Sequence, residues 1–367
     1  MADGMQKRGH QVEYWSPKPK FFKLPAPGFL KKWLGYLDQY FLFPAAIKNR
    51  VKKDNSDTLY VLTDHALGPW LPLVASKAHV VHCHDFIAQQ SAFDLIPQNI
   101  VSWTGKKYQA YIRRGYLSGK NFISVSKKTQ SDLNHFINSK NIRSEVVYNG
   151  LNQSFKPKNP VESRKKLGDK TGLNLLNGYI LHIGGNQFYK NRNGVVAIYT
   201  AWRNFSTSSL PLLLIGTTPD QKLANTIASS AYKSDIYHFN NIEDDLISAA
   251  YSGASVFLFP SLIEGFGWPI AEAMACGCPV ITTNEAPMTE VAGHAAFLIP
   301  KQPINTQETQ NWAHDSAKIV EKIVSFSVDQ RQKAIAAGIE NARRFDTDLA
   351  LDQIENIYKS ILLESKI

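Results

Sequence analysis

The sequence predicts an α/β protein built from two Rossmann-like, doubly wound domains, and three observations support this prediction. The chain has 367 residues, a length that corresponds as a soft prior to two domains of ordinary size. Hydrophobic residues make up 44% and charged residues 20% of the chain, so it can bury a core. Short, near-continuous apolar runs alternate with helix-like stretches, which is the pattern of parallel strands covered on both faces of a sheet.

The alternation is clearest in the C-terminal half, where six apolar runs are predicted strands. They are Tyr179–Ile183, Leu212–Ile215, Ile236–Phe239, Val256–Phe259, Val280–Thr282 and Ala296–Ile299. Helices are predicted between them, at Asn193–Trp202, Asp220–Tyr232, Glu243–Tyr251 and Pro269–Cys276. We therefore assign residues 161–346 to one Rossmann-like domain.

The N-terminal half shows the same alternation more loosely. Its predicted strands are Val12–Trp15, Thr58–Leu62, His79–Cys83, Phe122–Val125 and Val146–Tyr148, and its predicted helices are Lys107–Tyr116 and Thr129–Phe136. We assign residues 1–160 to this domain and expect a C-terminal helix within residues 347–367 to complete it. A doubly wound domain opens with a strand and a phosphate-facing turn before its first helix, so the first strand is predicted to be missing here.

The charge and the cysteines restrict the environment of the protein. Residues 1–160 carry 23 Lys and Arg against 10 Asp and Glu, a balance of +13, and residues 161–367 carry 18 against 21, a balance of −3. The N-terminal half is therefore expected to meet something anionic. Three cysteines with no matching Cys/His pair predict neither a disulfide framework nor a zinc site. No apolar run reaches the roughly 18 residues of a membrane span, so we expect a cytoplasmic or peripheral protein.

The segment 257–273 carries the most chemical information. A strand is followed by a glycine-bracketed turn, and Pro269 stands where a first helical position is expected. Backbone N–H groups at such a helix start, at the mouth of a parallel sheet, form an anion site. Two carboxylates, Glu264 and Glu272, bracket the turn. Because a carboxylate accepts hydrogen bonds from sugar hydroxyls, the segment predicts a ligand in which a sugar is attached to a phosphate.

A second loop, Gly184–Arg192, follows the strand Tyr179–Ile183. Its glycines allow a ligand to approach the backbone, and Lys190 and Arg192 could neutralise a diphosphate. The pattern is neither GxGxxG nor a P-loop, so it does not support dinucleotide or ATP binding.

These segments together resemble the retaining glycosyltransferases of family four, which have the GT-B fold. The resemblance covers almost the whole chain and is carried by Tyr179–Asn191, Tyr251–Pro300, His82–Asp85, Phe122–Ser126, Val146–Gly150 and Ala342–Phe345. Its most specific part is the pair of glutamates with seven residues between them, inside Pro-Ser-x-x-Glu-Gly-Phe-Gly. It implies two Rossmann-like domains that face each other across a cleft.

The resemblance also implies a role for each site residue. Glu272 is expected to hold the ribose hydroxyls of a nucleotide diphosphate sugar, Glu264 to face the hexose, and Lys190 to contact the diphosphate. His84 is expected to reach the hexose from the N-terminal domain. The backbone of four further residues is expected to lie along the sugar and phosphates of the donor: Gly185, Gly265, Phe266 and Gly267. The same residues also allow plainer interpretations, as carboxylates near a helix start, a solvated loop lysine and a structural histidine.

The activity implied by the resemblance is transfer of a hexose, such as mannose or glucose, to a glycan or lipid-linked acceptor in cell-surface polysaccharide synthesis. Retention on one face of the sugar requires neither a protein nucleophile nor a metal or other cofactor. Two departures bear on this expectation. Family members often carry an arginine where this chain has Gly185, and about twenty residues with the first strand are expected before Met1. An alternative is a non-catalytic nucleotide-sugar-binding protein truncated at its N-terminus.

Residues 18–53 form a second candidate surface. They contain nine Lys and Arg against Asp38 alone, interleaved with eight aromatic residues. This composition predicts a patch that rests on anionic lipid, which suits a lipid-linked acceptor. The alternative is a solvated basic face over a partly buried helix. No nucleic-acid module accompanies the patch, so nucleic acid is not expected as a partner.

Overall fold

The computed structural model describes residues 1–54, 57–137, 141–152 and 154–366. The chain divides into two compact units, the first made of Met1–Tyr148 and Asp348–Ile367 and the second of Asn149–Thr347. The boundary expected after residue 160 lies later than this division. Residues shortly before position 160 already bond within the second unit. The Leu151 N–H donates to the Phe345 carbonyl, and the Lys158 N–H donates to the Ser252 hydroxyl.

The first unit contains a four-stranded parallel sheet. Its strands are β1 (Tyr60–Leu62), β2 (His79–Cys83), β3 (Asn121–Ser124) and β4 (Arg143–Val146), in the order β1-β2-β3-β4. Its helices are α1 (Ala2–Lys7), α2 (Gly28–Leu37), α3 (Phe43–Val51), α4 (Ile87–Ala92), α5 (Trp103–Tyr116), α6 (Lys127–Ile137) and, at the end of the chain, α15 (Thr347–Glu364). A π-helical turn, Asp38–Leu42, joins α2 to α3.

Both faces of this sheet are covered, as the sequence pattern predicted. Strand β2 is buried along its whole length. On one face Val81 and Phe122 pack with Leu133 of α6. On the other face Val80 and Ile123 pack with Ile361 of α15. The C-terminal helix thus completes the first unit, because its apolar residues recur at helical spacing.

The predicted strand Val12–Trp15 is wrong. These residues adopt no regular structure, and a cavity of about 880 Å³ is lined both by them and by the edge strand β1. Strand pairing requires a neighbouring backbone at roughly 4.8 Å. The segment meets β1 through a side chain instead, with the rings of Trp15 and Tyr60 5.7 Å apart. Alternation of residue types alone does not reveal whether a partner backbone lies at pairing distance.

The second unit contains a six-stranded parallel sheet, and all six strands predicted from the sequence are present. They are β5 (Ile180–Ile183), β6 (Leu212–Ile215), β7 (Ile236–Phe239), β8 (Val256–Phe259), β9 (Val280–Thr283) and β10 (Phe297–Ile299). The helices are α7 (Pro160–Thr171), α8 (Arg192–Arg203), α9 (Gln221–Ala228), α10 (Asp244–Gly253), α11 (Trp268–Ala275), α12 (Met288–Ala292), α13 (Thr306–Val324) and α14 (Val328–Ala342).

The order of this sheet creates a crevice. The strand order is β10-β9-β8-β5-β6-β7. From β5 the chain adds β6 and β7 on one side, and it then crosses back to add β8, β9 and β10 on the other side. Strands β5 and β8 are therefore neighbours from which the chain continues toward opposite edges of the sheet. In open α/β sheets, ligands bind at this topological switch point, outside the carboxyl ends of the strands.

Every helix within the described ranges is too short or too polar to cross a lipid bilayer.

Candidate active site

The two loops that flank the switch point are bound to each other. The loop after β5 runs from Gly184 to Asn191, and the loop after β8 runs from Pro260 to Gly267. The Leu262 N–H donates to the Tyr189 carbonyl at 2.8 Å, and the Asn191 amide donates to the Pro260 carbonyl at 2.9 Å. These bonds fix the relative position of the side chains that the two loops carry.

Lys190 and Glu264 meet across these loops. The Lys190 ammonium lies 2.8 Å and 3.0 Å from the two carboxylate oxygens of Glu264. The Ser261 hydroxyl lies 2.7 Å from one of these oxygens, and the ammonium also stands 5.2 Å from the centre of the Phe259 ring. Only 17% of the Lys190 side chain and 8% of the Glu264 side chain are exposed, so water screens the pair weakly.

The position of Lys190 follows from its neighbour Asn191. Residues Phe188–Lys190 form one 3₁₀ turn, and Asn191 then adopts a left-handed conformation with φ of 53°. Asn tolerates this region better than most residues. Its side chain also caps α8, by accepting the Gly194 N–H at 3.2 Å. One residue therefore starts the helix, turns the chain and joins the second loop.

The start of α11 has the geometry expected of an anion site. Gly267 is the N-cap with φ of +104°, a conformation that glycine adopts without strain, and Pro269 occupies the second helical position. Phe266 is buried, and its ring packs 5.4 Å from that of Phe345. The contact of Gly265, Phe266 and Gly267 with a sugar phosphate stays a prediction.

Glu272 points from α11 toward Tyr251 of α10. The Tyr251 hydroxyl donates to Glu272 Oε2 at 2.9 Å. Burial raises the pKa of Glu272, while this hydrogen bond and the charge of Lys190 act in the opposite direction. Within the described part of the chain, no donor contacts the second oxygen, Oε1. One carboxylate oxygen is thus held in place and the other can accept a ligand hydroxyl.

The glycine loop after β5 is packed against the loop after β6. Gly216 has φ of +143°, and a Cβ atom there would lie 2.1 Å from the Gly184 carbonyl oxygen. Arg192 joins the same loops, with Nη1 2.6 Å from Asn186 Oδ1 and 2.8 Å from the Thr217 carbonyl. Arg192 therefore positions the loop that contains Gly185. The contact of Arg192 with a diphosphate stays a prediction, and nothing in the sequence indicated its bonds to Asn186 and Thr217.

His182 was also missed. It lies in the middle of β5, is fully buried, and donates from Nδ1 to the Leu258 carbonyl of β8 at 2.9 Å. Burial lowers the pKa of His182 to about 3, so the ring is neutral. No motif in the sequence signals such a residue, because it looks like any other position of an apolar strand.

His84 lies in the first unit, directly after β2. Its side chain is exposed, and Nε2 stands 2.9 Å from the Thr63 carbonyl. Its neighbour His82 is buried against the hydroxyl of Tyr358 at 2.7 Å, and burial lowers the pKa of His82 to about 3. His82 is therefore a structural residue, whereas the catalytic role of His84 stays a prediction.

Across residues 1–54, 57–137, 141–152 and 154–366, no group of three or more His, Cys, Asp or Glu side chains could hold a metal ion. The only Asp-x-Asp triplet in the sequence, Asp346-Thr347-Asp348, stands at the start of α15 and outside the two loops. All three cysteines are buried and unpaired with each other.

Comparison with known families covers both units. Residues 1–155 match Glycosyltransferase Family 4, and residues 177–321 match Glycosyl transferases group 1. Together these matches include the loops after β2, β5 and β8.

A curated relative is the O-antigen chain mannosyltransferase B of Escherichia coli. It is 28% identical over 244 residues, which are 66% of this chain and 61% of that protein. The match thus spans about three fifths of the relative's own length.

Solved structures show the same fold. HepE of Anabaena, in complex with UDP and glucose, is 18% identical with a TM-score of 0.69, over 97% of this chain and 88% of that chain. WaaG, a glycosyltransferase involved in lipopolysaccharide biosynthesis, is 16% identical with a TM-score of 0.69, over 97% of this chain and 93% of that chain. The GT-B fold expected from the sequence is therefore confirmed as two parallel-sheet α/β domains.

Proposed function

The chain belongs to glycosyltransferase family 4, and on this premise we propose that it transfers a hexose from a nucleotide diphosphate sugar. The acceptor is a glycan or a lipid-linked glycan of cell-surface polysaccharide synthesis. The observation that carries the proposal is the weakly screened Lys190–Glu264 pair at the topological switch point of the second unit.

The donor is held by complementary groups on the two loops. The ammonium of Lys190 bears three N–H donors, so it can contact a phosphate oxygen while it keeps a bond to Glu264. The start of α11 offers backbone N–H groups and the positive end of the helix dipole to the same anion. Glu272 Oε1 accepts the ribose hydroxyls, with its partner oxygen held by Tyr251.

The reaction breaks the bond between the anomeric carbon and the diphosphate oxygen and forms a bond from the same carbon to the acceptor oxygen. Attack on the face that the diphosphate leaves retains the anomeric configuration. The acceptor proton passes to the departing phosphate oxygen, so the step needs no metal ion and no protein nucleophile. Lys190 stabilises the charge that develops on the leaving diphosphate.

Glu264 and His84 act on the hexose in this proposal. Glu264 accepts a hydrogen bond from a hexose hydroxyl, and its own orientation is supported by Ser261. Two assignments are supported by the family resemblance alone. They are the contact of His84 with the hexose and the contact of Gly185 with the phosphates. A hexose such as mannose or glucose is supported by the relatives, a mannosyltransferase and a protein crystallised with UDP and glucose.

The test is calorimetric titration of the chain with UDP, GDP, ADP and dTDP and their hexose conjugates. We expect one nucleotide to bind in preference to the others. Glu272→Gln should weaken this binding roughly tenfold to a hundredfold, because it removes a charged acceptor of ribose hydroxyls. Glu308→Gln, an exposed glutamate in the first turn of α13, is the matched control and should bind as the wild type does.

Two outcomes would count against parts of the proposal. Unchanged affinity of Glu272→Gln would refute the ribose assignment. Binding of the nucleotide sugar without turnover on any glycan or lipid-linked acceptor would favour the non-catalytic alternative.

A further inference from the structure

Helix α2 is apolar and yet unburied. Six of its ten residues are Phe, Leu, Trp or Tyr, and none of the ten is buried. Four exposed apolar side chains stand four residues apart along α2 and into the π-helical turn. They are Phe29, Trp33, Leu37 and Phe41, with exposed fractions of 74%, 64%, 37% and 69%. We call these four residues the apolar strip.

The spacing keeps the apolar strip on one side of the helix. Four residues of an α-helix turn by about 400°, so successive members are offset by only about 40°. Tyrosines beside the strip attach this segment to α5. The Tyr36 ring stacks on Tyr108 of α5 with centres 6.2 Å apart, and the Tyr40 and Tyr108 hydroxyls lie 2.9 Å apart. Helix α2 is thus fixed to the first unit with the apolar strip facing outward.

The only acidic residue of the segment 18–53 points inward. Asp38 is buried and accepts the backbone N–H groups of Lys20, Phe21 and Phe22, each at 3.0 Å. Burial raises the pKa of Asp38, but the three N–H donors outweigh it and the pKa lies below its ordinary value. The Asp38 carboxylate therefore holds the turn Phe21–Lys23 beside α2 and is not available at the surface.

Eight of the nine basic residues of the segment are exposed, whereas Lys31 is half-buried and donates to the Phe22 and Leu24 carbonyls. Lys18, Lys20, Lys23 and Lys32 are exposed. In the part of the chain that the structure describes, the only ion pair formed by a basic residue of this segment joins Arg50 to Glu13. The surface around the apolar strip is therefore cationic, without carboxylates of the same segment to neutralise it.

We propose that this surface docks on an anionic lipid membrane, with the apolar strip entering the boundary between headgroups and acyl chains. The lysines then lie among lipid phosphates. Two independent contributions, apolar burial and attraction to anionic lipid, are what stable interfacial binding requires. Aromatic rings also stack on bases and sugars, but a continuous apolar strip that includes Leu37 and is flanked by exposed lysines matches the lipid interface more closely. The proposal does not depend on the donor site.

The experiment is flotation of the full chain with vesicles of phosphatidylcholine, alone or with about 30 mol% phosphatidylglycerol. We expect recovery with the anionic vesicles only, and a decrease at about 0.5 M salt because surface charges are then screened. The double variant Phe29→Ser/Trp33→Ser should lower the partition coefficient at least roughly tenfold. Lys23→Glu/Lys32→Glu should abolish the preference for anionic lipid.

The matched control is Ile304→Ser/Val328→Ser, which removes two exposed apolar side chains of the second unit, 73% and 75% exposed. It should float as the wild type does. Equal recovery with neutral and anionic vesicles, or unchanged recovery of the Phe29/Trp33 variant, would overturn the proposal. Tighter binding of a short DNA duplex than of anionic vesicles would assign the surface to nucleic acid instead. Nucleotide titration of the same variants reports the donor site separately.

Discussion

At the scale of single residues, the proposed chemistry of the switch point rests on the pairing of Lys190 with Glu264. The Lys190 side chain is 17% exposed and that of Glu264 8% exposed, and the two lie beside the position proposed for the donor diphosphate. Phe259 limits the access of water to the ammonium from one side. An electrostatic interaction of this kind has more effect in a water-poor site than at the surface.

Lys190→Ala is expected to lower kcat by about 10²–10³, because the variant lacks the positive charge that stabilises the leaving diphosphate. Steady-state kinetics with the preferred donor measure this effect. Lys166→Ala is the matched control, since Lys166 pairs with Asp245 at an exposed site of the same unit. A loss of equal size in both variants would contradict the proposed role of Lys190.

At the scale of secondary-structure elements, the start of α8 joins the two loops of the site. Asn191 caps the helix, adopts the left-handed turn and bonds to Pro260 in the loop after β8. The N-cap of α7, Asn159, accepts two backbone N–H groups in the same way but lies at neither loop. The two asparagines therefore form a natural comparison.

Asn191→Ala is expected to lower the free energy of unfolding by about 2–3 kcal/mol, since it loses a cap, a hydrogen bond and the tolerance for a left-handed conformation. Asn159→Ala should lose only about 1 kcal/mol. Urea denaturation of both variants measures the difference. Nucleotide affinity should fall in Asn191→Ala alone, and equal affinities would indicate that the loop keeps its geometry without this residue.

At the scale of the whole molecule, buried histidines make stability depend on pH. His82 in the first unit and His182 in the second have their pKa lowered by burial to about 3, against an ordinary value of about 6.5. The unfolded chain therefore binds more protons below pH 6.5. Their contribution to stability is present above that pH and is lost as the pH falls.

When the pH is lowered from 8 to 5, each of these histidines is expected to lower the free energy of unfolding by about 2 kcal/mol. His182→Asn keeps a side-chain donor for the Leu258 carbonyl but does not titrate. Its urea midpoint should therefore change less than that of the wild type between these pH values. An identical change in both proteins would show that His182 does not carry this dependence.

The sequence by itself determined the six parallel strands of the second unit, the family and the segments of the candidate site. Strands β6 to β8 were predicted at their observed bounds, because strands buried on both faces of a parallel sheet leave continuous apolar runs. The Glu264–Glu272 motif was visible for a similar reason, since its glycines and Pro269 have few uses other than a turn into a helix.

Only the tertiary structure decided which residues meet. The Lys190–Glu264 contact, the Tyr251–Glu272 hydrogen bond and the buried His182 join segments that are far apart in sequence. Val12–Trp15 shows the converse, because it alternates like a strand and pairs with none. Local patterns record how a residue relates to its neighbours in the chain, whereas pairing, burial and pKa depend on groups that only the packed fold brings within a few ångströms.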